Sequence, residues 1–366
     1  MSEITALRKH PCPECGGDAE WNAAKQALAC PYCGTVLPFS PGESTSGEEI
    51  REHDLVATLR DLPEASRGWQ TDRVSVKCQS CQAISNFDPG RVAQRCEFCG
   101  SPSIAPYTET KDSITPESLL PAKLSEPQVR DRLRQWYATR RFAPDRLKKA
   151  ALTDTLHAIY LPYWTFDALV RAEWEAQSGY YYYTTEYVKD PQGRTTAQQV
   201  RHIRWEPSAG QMEHFFDDEL VAGTAGIHPD LLSQVESFPT GELKPYDPAY
   251  VRGWTVERYQ IDLRKATEAS QFRMEQRIQQ YCAAQVPGDT HAQLRVATRY
   301  FHRTFKHILV PVWLVSYTYG TKHYQMLVNG YTGAIAGERP ISYVKVFFYI
   351  ILPVIILFVI FALANS

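Results

Sequence analysis

Excess charge of either sign is what this 366-residue sequence has least of: 39 Lys+Arg stand against 41 Asp+Glu, a formal net charge of −2. So even a balance argues against a general polyanion binder, whose footprint is a strongly basic domain. Signatures of catalysis are missing too. There is no G-x-x-x-x-G-K-[ST] phosphate loop, no G-x-S-x-G elbow, no H-E-x-x-H and no G-x-G-x-x-G. Cysteine all but vanishes after residue 99, where only Cys282 remains. The composition excludes collagen-like, coiled-coil and globally disordered chains, and the length allows two or three domains that each bury a core.

The other eight cysteines form a pattern: Cys12, Cys15, Cys30 and Cys33, then Cys78, Cys81, Cys96 and Cys99, each member of the second set 66 residues after its counterpart. Trp21 and Phe87, Lys25 and Arg91, and Gly34 and Gly100 keep that offset, so residues 1–40 and 73–106 read as two copies of one module. A C-x2-C knuckle brings two thiolates to one ion about 2.3 Å from each sulfur, and two knuckles close a tetrahedron. Gly34 and Gly100 stand where a positive φ is needed after the second knuckle. The assignment is two zinc ribbons holding two Zn2+, with a rubredoxin-like iron centre and disulfides as the alternatives. Disulfides require an oxidising compartment, whereas Met1 to Lys9 is short and polar and does not read as a signal peptide. His10 lies close enough to Cys12 to replace a thiolate, but four cysteines already complete the site. Four thiolates leave no open coordination position, so these sites read as structural, and no catalytic or cofactor-binding residue is assigned.

Zinc ribbons often serve nucleic-acid machinery. Up to Pro106, however, ten Lys+Arg face fourteen Asp+Glu, a net −4 before any thiolate is counted. Such a module suits protein docking better than phosphate contact. Residues 41–72 read as a linker that carries a short helix over 48–62, where Leu55 and Leu59 share a face.

Residues 107–340 read as a mixed α+β scaffold rich in antiparallel strands. Ser125-Glu-Pro-Gln128 is a capping-box pattern that opens a helix to about Arg140. The segment 123–149 holds nine Lys+Arg against three acids, a net +6 that reads as a solvated helix face, an acidic-partner site or a contact for anionic lipid. Strands are expected at Leu156–Asp167, His307–Ser316, Gly179–Val188, Gln199–Phe216 and Tyr324–Ala336, the last with a turn at Asn329-Gly330. Pro162 and Trp164 match Pro311 and Trp313 at an offset of 149, and helices precede both segments, the second over 263–284. This points to a fainter duplication within the scaffold. Cys282 then reads as a buried apolar residue, and Asp217-Asp218-Glu219 as a solvated turn at a strand end, with metal or acid–base chemistry as the alternative.

From Val346 to Ala364 run 19 residues without a charge. A helix of that length spans roughly 28 Å, close to the ~30 Å of a bilayer core. Residues 341–366 therefore read as a single transmembrane tail anchor. Arg339 and Lys345 flank its amino-terminal side, which by the positive-inside rule leaves the large domain in the cytoplasm.

The duplicated knuckles, together with Ser118-Leu-Leu-Pro121, Leu161-Pro-Tyr-Trp-Thr-Phe-Asp167, Phe216-Asp-Asp218, Leu243-Lys-Pro-Tyr246, Val310-Pro-Val-Trp313, Val328-Asn-Gly330 and the terminal span, resemble a family of bacterial zinc-ribbon, tail-anchored membrane proteins. Its members often carry a primosomal-protein-N′-like or helicase-like label, which finds no footing without a phosphate loop. The resemblance extends to the zinc-ribbon anchor subunit of membrane-stress modules. It implies a non-enzymatic adaptor at the bacterial inner membrane that works with a second small membrane protein and recruits a flotillin-like (SPFH) or PspA-type partner. The competing expectations are a replication-associated nucleic-acid binder acting through 123–149 and a membrane-bound enzyme using Asp217 and Asp218.

Overall fold

A computed structural model of the chain describes residues 11–37, 50–61, 74–87, 95–107, 114–140, 142, 156–189, 195–319, 322–337 and 342–364. The first cysteine module is a small antiparallel sheet of β1 (Glu20–Asn22), β2 (Ala27–Ala29) and β3 (Val36–Leu37). Next come β4 (His53–Asp54) and α1 (Leu55–Asp61), whose first turn is capped by the Asp54 carboxylate accepting from the Ala57 amide at 2.7 Å. The helix expected over 48–62 is thus shorter, because His53 and Asp54 extend to pair with another strand; residues 48, 49 and 62 lie outside the described residues. The second module contributes β5 (Val74–Cys78), β6 (Ile84–Phe87) and β7 (Ile104–Pro106).

After β8 (Ser118–Leu119), α2 spans Glu126–Ala138 and buries Val129, Leu133 and Tyr137 one turn apart. Its start is fixed as the capping pattern requires, the Gln128 side chain accepting from the Ser125 amide at 2.9 Å. Then follow the long strands β9 (Leu156–Lys189) and β10 (Thr195–Ala222), α3 (Pro229–Val235), β11 (Lys244–Pro245) and β12 (Thr255–Arg258). The chain continues through α4 (Leu263–Gln285), β13 (Thr290–Tyr319), β14 (Lys322–Asn329) and β15 (Ile335–Gly337) to a terminal helix, Tyr343–Leu363. The strands expected at 156–167 and 179–188 are one continuous strand, because β9 is paired along its whole length.

β9 and β13 form the antiparallel spine of a twelve-stranded sheet among the described residues, paired from Gly179 opposite Thr290 to Leu156 opposite Val315 with two register shifts in β13, at Ala292/Arg295 and Phe301/Thr304. β10 pairs with the other edge of β9 from Lys189 to Tyr163; where it ends, β12 takes over parallel to β9 and passes the sheet on to β6, β5 and β7. The outer edge of β13 is covered in turn by β4, by β8 running parallel, and by β14. Along the spine, alternate residues Ala168, Val170, Ala172, Trp174 and Ala176 point at Leu263, Ala266, Met274, Ile278 and Cys282 of α4, a period of two meeting a helical stripe. Cys282 is fully buried there.

The two sides of this spine make matching bonds. Leu161 lies opposite Val310, and about that pair β12 runs parallel to β9 at Ile159 and Tyr160 as β8 runs parallel to β13 at Ile308 and Leu309. The Gly223 amide donates to the Pro162 carbonyl and the Gly330 amide to the Pro311 carbonyl, each at 2.8 Å. Gly223 accepts from the amides of Gln260 and Ile261; Gly330 accepts from those of Lys123 and Leu124. The Trp164 indole donates to Ile261 at 2.9 Å, the Trp313 indole to Leu124 at 3.2 Å. Both helices that follow begin one residue later, at the caps Asp262 and Ser125.

Candidate metal centres

Each cysteine knuckle is built by a tight turn. The amide of the residue just after the second cysteine closes back on the carbonyl of the first: Gly16 donates to Cys12, Gly34 to Cys30, Gln82 to Cys78 and Gly100 to Cys96, at 2.8 to 3.0 Å. All four closing residues have positive φ, between 65° and 77°. Glycine supplies that conformation at little cost in three knuckles; Gln82 adopts it with a side chain, a departure the sequence does not signal.

Pairing the knuckles gathers all eight assigned cysteines into two groups: Cys12, Cys15, Cys30 and Cys33, and Cys78, Cys81, Cys96 and Cys99, with the sulfurs of each group within 4.8 Å of one another. The closest pairs are Cys12–Cys33 and Cys15–Cys30 at 3.4 Å, and Cys78–Cys99 and Cys81–Cys96 at 3.6 Å. A disulfide requires about 2.05 Å, so these are free thiols. A tetrahedron with metal–sulfur bonds of about 2.3 Å has edges near ~3.8 Å, and both groups fit a metal ion with modest relaxation. Hydrogen bonding and burial split the thiols, pushing Cys15, Cys81 and Cys99 up and two others toward the ligating thiolate form. Cys33 is drawn down to about 6 by the Thr35 hydroxyl and amide, and Cys96 to about 5 by the thiol hydrogen bond from Cys81.

The two centres sit differently in the fold. In the first, Cys12 and Cys30 are buried but Cys15, Cys33 and the neighbouring Tyr32 are exposed. Its sheet leans on the scaffold through Trp21, which stacks edge-on against Tyr250 at 4.7 Å and donates to the Ala122 carbonyl, joined there by Gln26. The second is built into the main sheet. Its β6 pairs with β12, and Cys78, Cys96 and Phe98 share a core with Leu120, Leu161 and Val310. The Ser316 hydroxyl and Gln325 amide both donate to the Phe98 carbonyl, at 3.0 and 2.7 Å.

Asp217 and Asp218 do not lie in a turn at a strand end, although Asp217 is exposed. They form a β-bulge within β10, between Phe216 and Glu219, and Asp218 has a φ of 51°. β13 bulges at nearly the same level of β9, between Phe301 and Thr304. Between the two bulges, Asp167 accepts from the Asp218 amide at 2.6 Å and from the Thr304 hydroxyl at 2.9 Å. Lys306 reaches Asp218 at 2.8 Å and Glu52 at 3.2 Å. Burial raises the Asp167 carboxyl, while the Asp218 hydrogen bond and charge outweigh burial to keep Lys306 cationic. The neighbouring His307 is fully buried, donates from Nδ1 to the Ile114 carbonyl at 2.9 Å, and is driven down to about 4 by desolvation. This cluster ties β9, β10, β13 and the segment before α1 together. Its members stand far apart in the sequence, and only the acidic run was visible there. His10 and residues 143–149 of the basic segment lie outside the described residues.

The terminal helix Tyr343–Leu363 has 21 residues, and its most apolar 18-residue window has a mean hydropathy of 3.1 and is not buried among the described residues. It is long and apolar enough to cross a membrane. By sequence the chain is similar to the uncharacterized protein YdjG of Bacillus subtilis (strain 168), at 22% identity over 348 residues that cover 92% of this chain and 91% of that protein. No family model matches the chain, and no solved structure matches it.

Proposed function

We propose that this chain is a non-enzymatic, membrane-anchored adaptor whose two cysteine centres hold structural zinc and whose scaffold docks partner proteins at the bacterial inner membrane. The observation that carries the reading is the junction of unlike parts. One sheet holds a closed four-thiolate centre in its core, carries a second on its flank, and is followed by an apolar helix that is not buried among the described residues. A closed thiolate site stabilises a small module without offering an open coordination position, which suits a docking surface. The matched bonds on the two sides of the spine support reading the scaffold as a duplicated unit of short parallel strand, helix and long strand. In that unit each short strand pairs with the long strand of the other copy.

In this reading the large domain is cytoplasmic, placed there by Lys345 and Arg339 at the head of the span. The partners are those the resemblance implies: a flotillin-like or PspA-type protein and a second small membrane protein, acting in a membrane-stress response. The test is affinity capture of the full-length chain from native membranes in a strain that contains these partners, with metal analysis of the same sample. Recovery of a flotillin-like or PspA-type protein and about one zinc per four cysteines is the expected result. Capture of neither partner sinks the adaptor reading, and a chain free of zinc sinks the metal assignment.

A further inference from the structure

The span and the basic helix α2 are far apart in sequence yet meet at one point. The Ser342 amide, at the cap of the terminal helix, donates to the Phe142 carbonyl at 2.8 Å, and the Ser342 hydroxyl accepts from the Lys345 amide. Phe142 lies four residues past the end of α2. Whatever depth Ser342 takes at the membrane surface, the carboxy-terminal end of α2 takes with it.

The groups gathered there are those of a headgroup layer. Arg140 lies over the Trp136 ring, 4.7 Å from its centroid, and Tyr343 at the head of the span is 83% exposed. Tryptophan and tyrosine favour the membrane–water boundary, where the ring meets lipid and the polar edge meets water. The arginines of α2 and of the turn that follows it are not equivalent. Arg130 is held by Glu126 at 2.6 Å and Arg134 by Asp131 at 2.7 Å. Among the described residues no carboxylate pairs with Arg140, the one nearest the span. A guanidinium seated over an indole keeps its donors available for a bidentate contact with phosphate oxygens.

We propose that Trp136 and Arg140, with Tyr343 and Lys345 of the span's first turn, form a surface that takes anionic phospholipid headgroups and seats the scaffold on the bilayer. This rests on the terminal helix being a span. The occupant is the lipid of the same leaflet, because the Ser342–Phe142 bond fixes the surface at the point where the chain enters it. Each cation near an anionic surface contributes on the order of a fivefold change in partition.

The test uses the full-length chain in vesicles of phosphatidylcholine containing a minor share of phosphatidylglycerol. Polymer-bounded discs are then cut from the vesicles, and the lipid that copurifies is quantified. Enrichment of phosphatidylglycerol over the bulk is expected. It should fall by roughly fivefold for Arg140→Gln and further for Arg140→Gln with Lys345→Gln, while Arg204→Gln on the distant hairpin leaves it unchanged. Excess inorganic phosphate should not compete, because the two-dimensional lipid concentration exceeds it. Bulk composition around the wild-type chain overturns the proposal, as does equal enrichment in the double variant. Failure of the span itself shows separately, as protein released from the vesicles by an alkaline wash. Unchanged far-ultraviolet dichroism of the variants confirms that the scaffold is folded.

Discussion

Loss of a ligand from the second cysteine centre should unfold the scaffold, whereas the same loss from the first should not. The perturbations are Cys96→Ser and Cys30→Ser, both at buried ligands, 7% and 2% exposed. If the second module comes apart, Phe98, Phe87 and Ile84 lose their packing, and these are buried to 0%, 2% and 8% exposure. At about 1.5–3 kcal/mol for each large apolar side chain the loss is about 5–9 kcal/mol, within the range of the whole stability of a domain, about 5–15 kcal/mol. β12 also loses β6, its partner through Val256, Glu257 and Arg258, and becomes an open edge. Detachment of the first module exposes Trp21, uncovers Leu28 where it packs with Ala249, and breaks two hydrogen bonds to Ala122. That loss is about 2–4 kcal/mol. The assay is thermal unfolding of the detergent-solubilised full-length chain, followed by near-ultraviolet dichroism. Cys96→Ser should lower the main transition by roughly 10 °C or more, and Cys30→Ser by less than about half of that. Equal shifts in the two variants refute the claim that the second centre belongs to the core of the sheet.

Three further outcomes follow from single sites. Gly100→Ala should cost about 1–2 kcal/mol in a melting experiment although open space surrounds the position, because the penalty lies in its φ of 71°; a neutral result removes that explanation. Lys306→Met should destabilise by about 3 kcal/mol by leaving Asp218 buried without a cation, and Lys306→Met with Asp218→Asn should recover part of it in a double-mutant cycle; strict additivity would show that the pair is not coupled. Folding lowers the His307 pKa from 6.5 to about 4, so its contribution is complete above pH 6.5 and is lost as the pH falls toward 4. The sum is on the order of 3 kcal/mol. Between pH 7 and pH 4 the wild-type chain should therefore lose more stability than His307→Gln, and parallel pH curves would place the acid sensitivity elsewhere.

What could be read in advance follows the range over which each feature is determined. The cysteine spacing is local chemistry, and it located both four-thiolate groups residue by residue, as Gly34 and Gly100 located two of the four positive-φ turns. The capping pattern at Ser125 and the helical stripe ending at Cys282 are likewise local, and α2 and α4 fall where those patterns put them. The strands β8, β11 and β4 have two residues each, too short to carry a period, and they exist because a long strand already stands beside them. The bulge at Asp217 and Asp218 was misread as a turn for a related reason. Three acids in a row look solvated until a partner is known, and that partner, Lys306, arrives from 88 residues away with Glu52 and Thr304. The offset of 149 between the two Pro-x-Trp segments was visible, but its meaning lay in pairing. Leu161 faces Val310, and on either side of that pair β12 extends the edge of β9 while β8 extends that of β13, a match that only the paired strands display. Without β13 the long strand β9 would keep β10 but leave its other edge open, which is why the stability of the sheet has to be measured with both strands present.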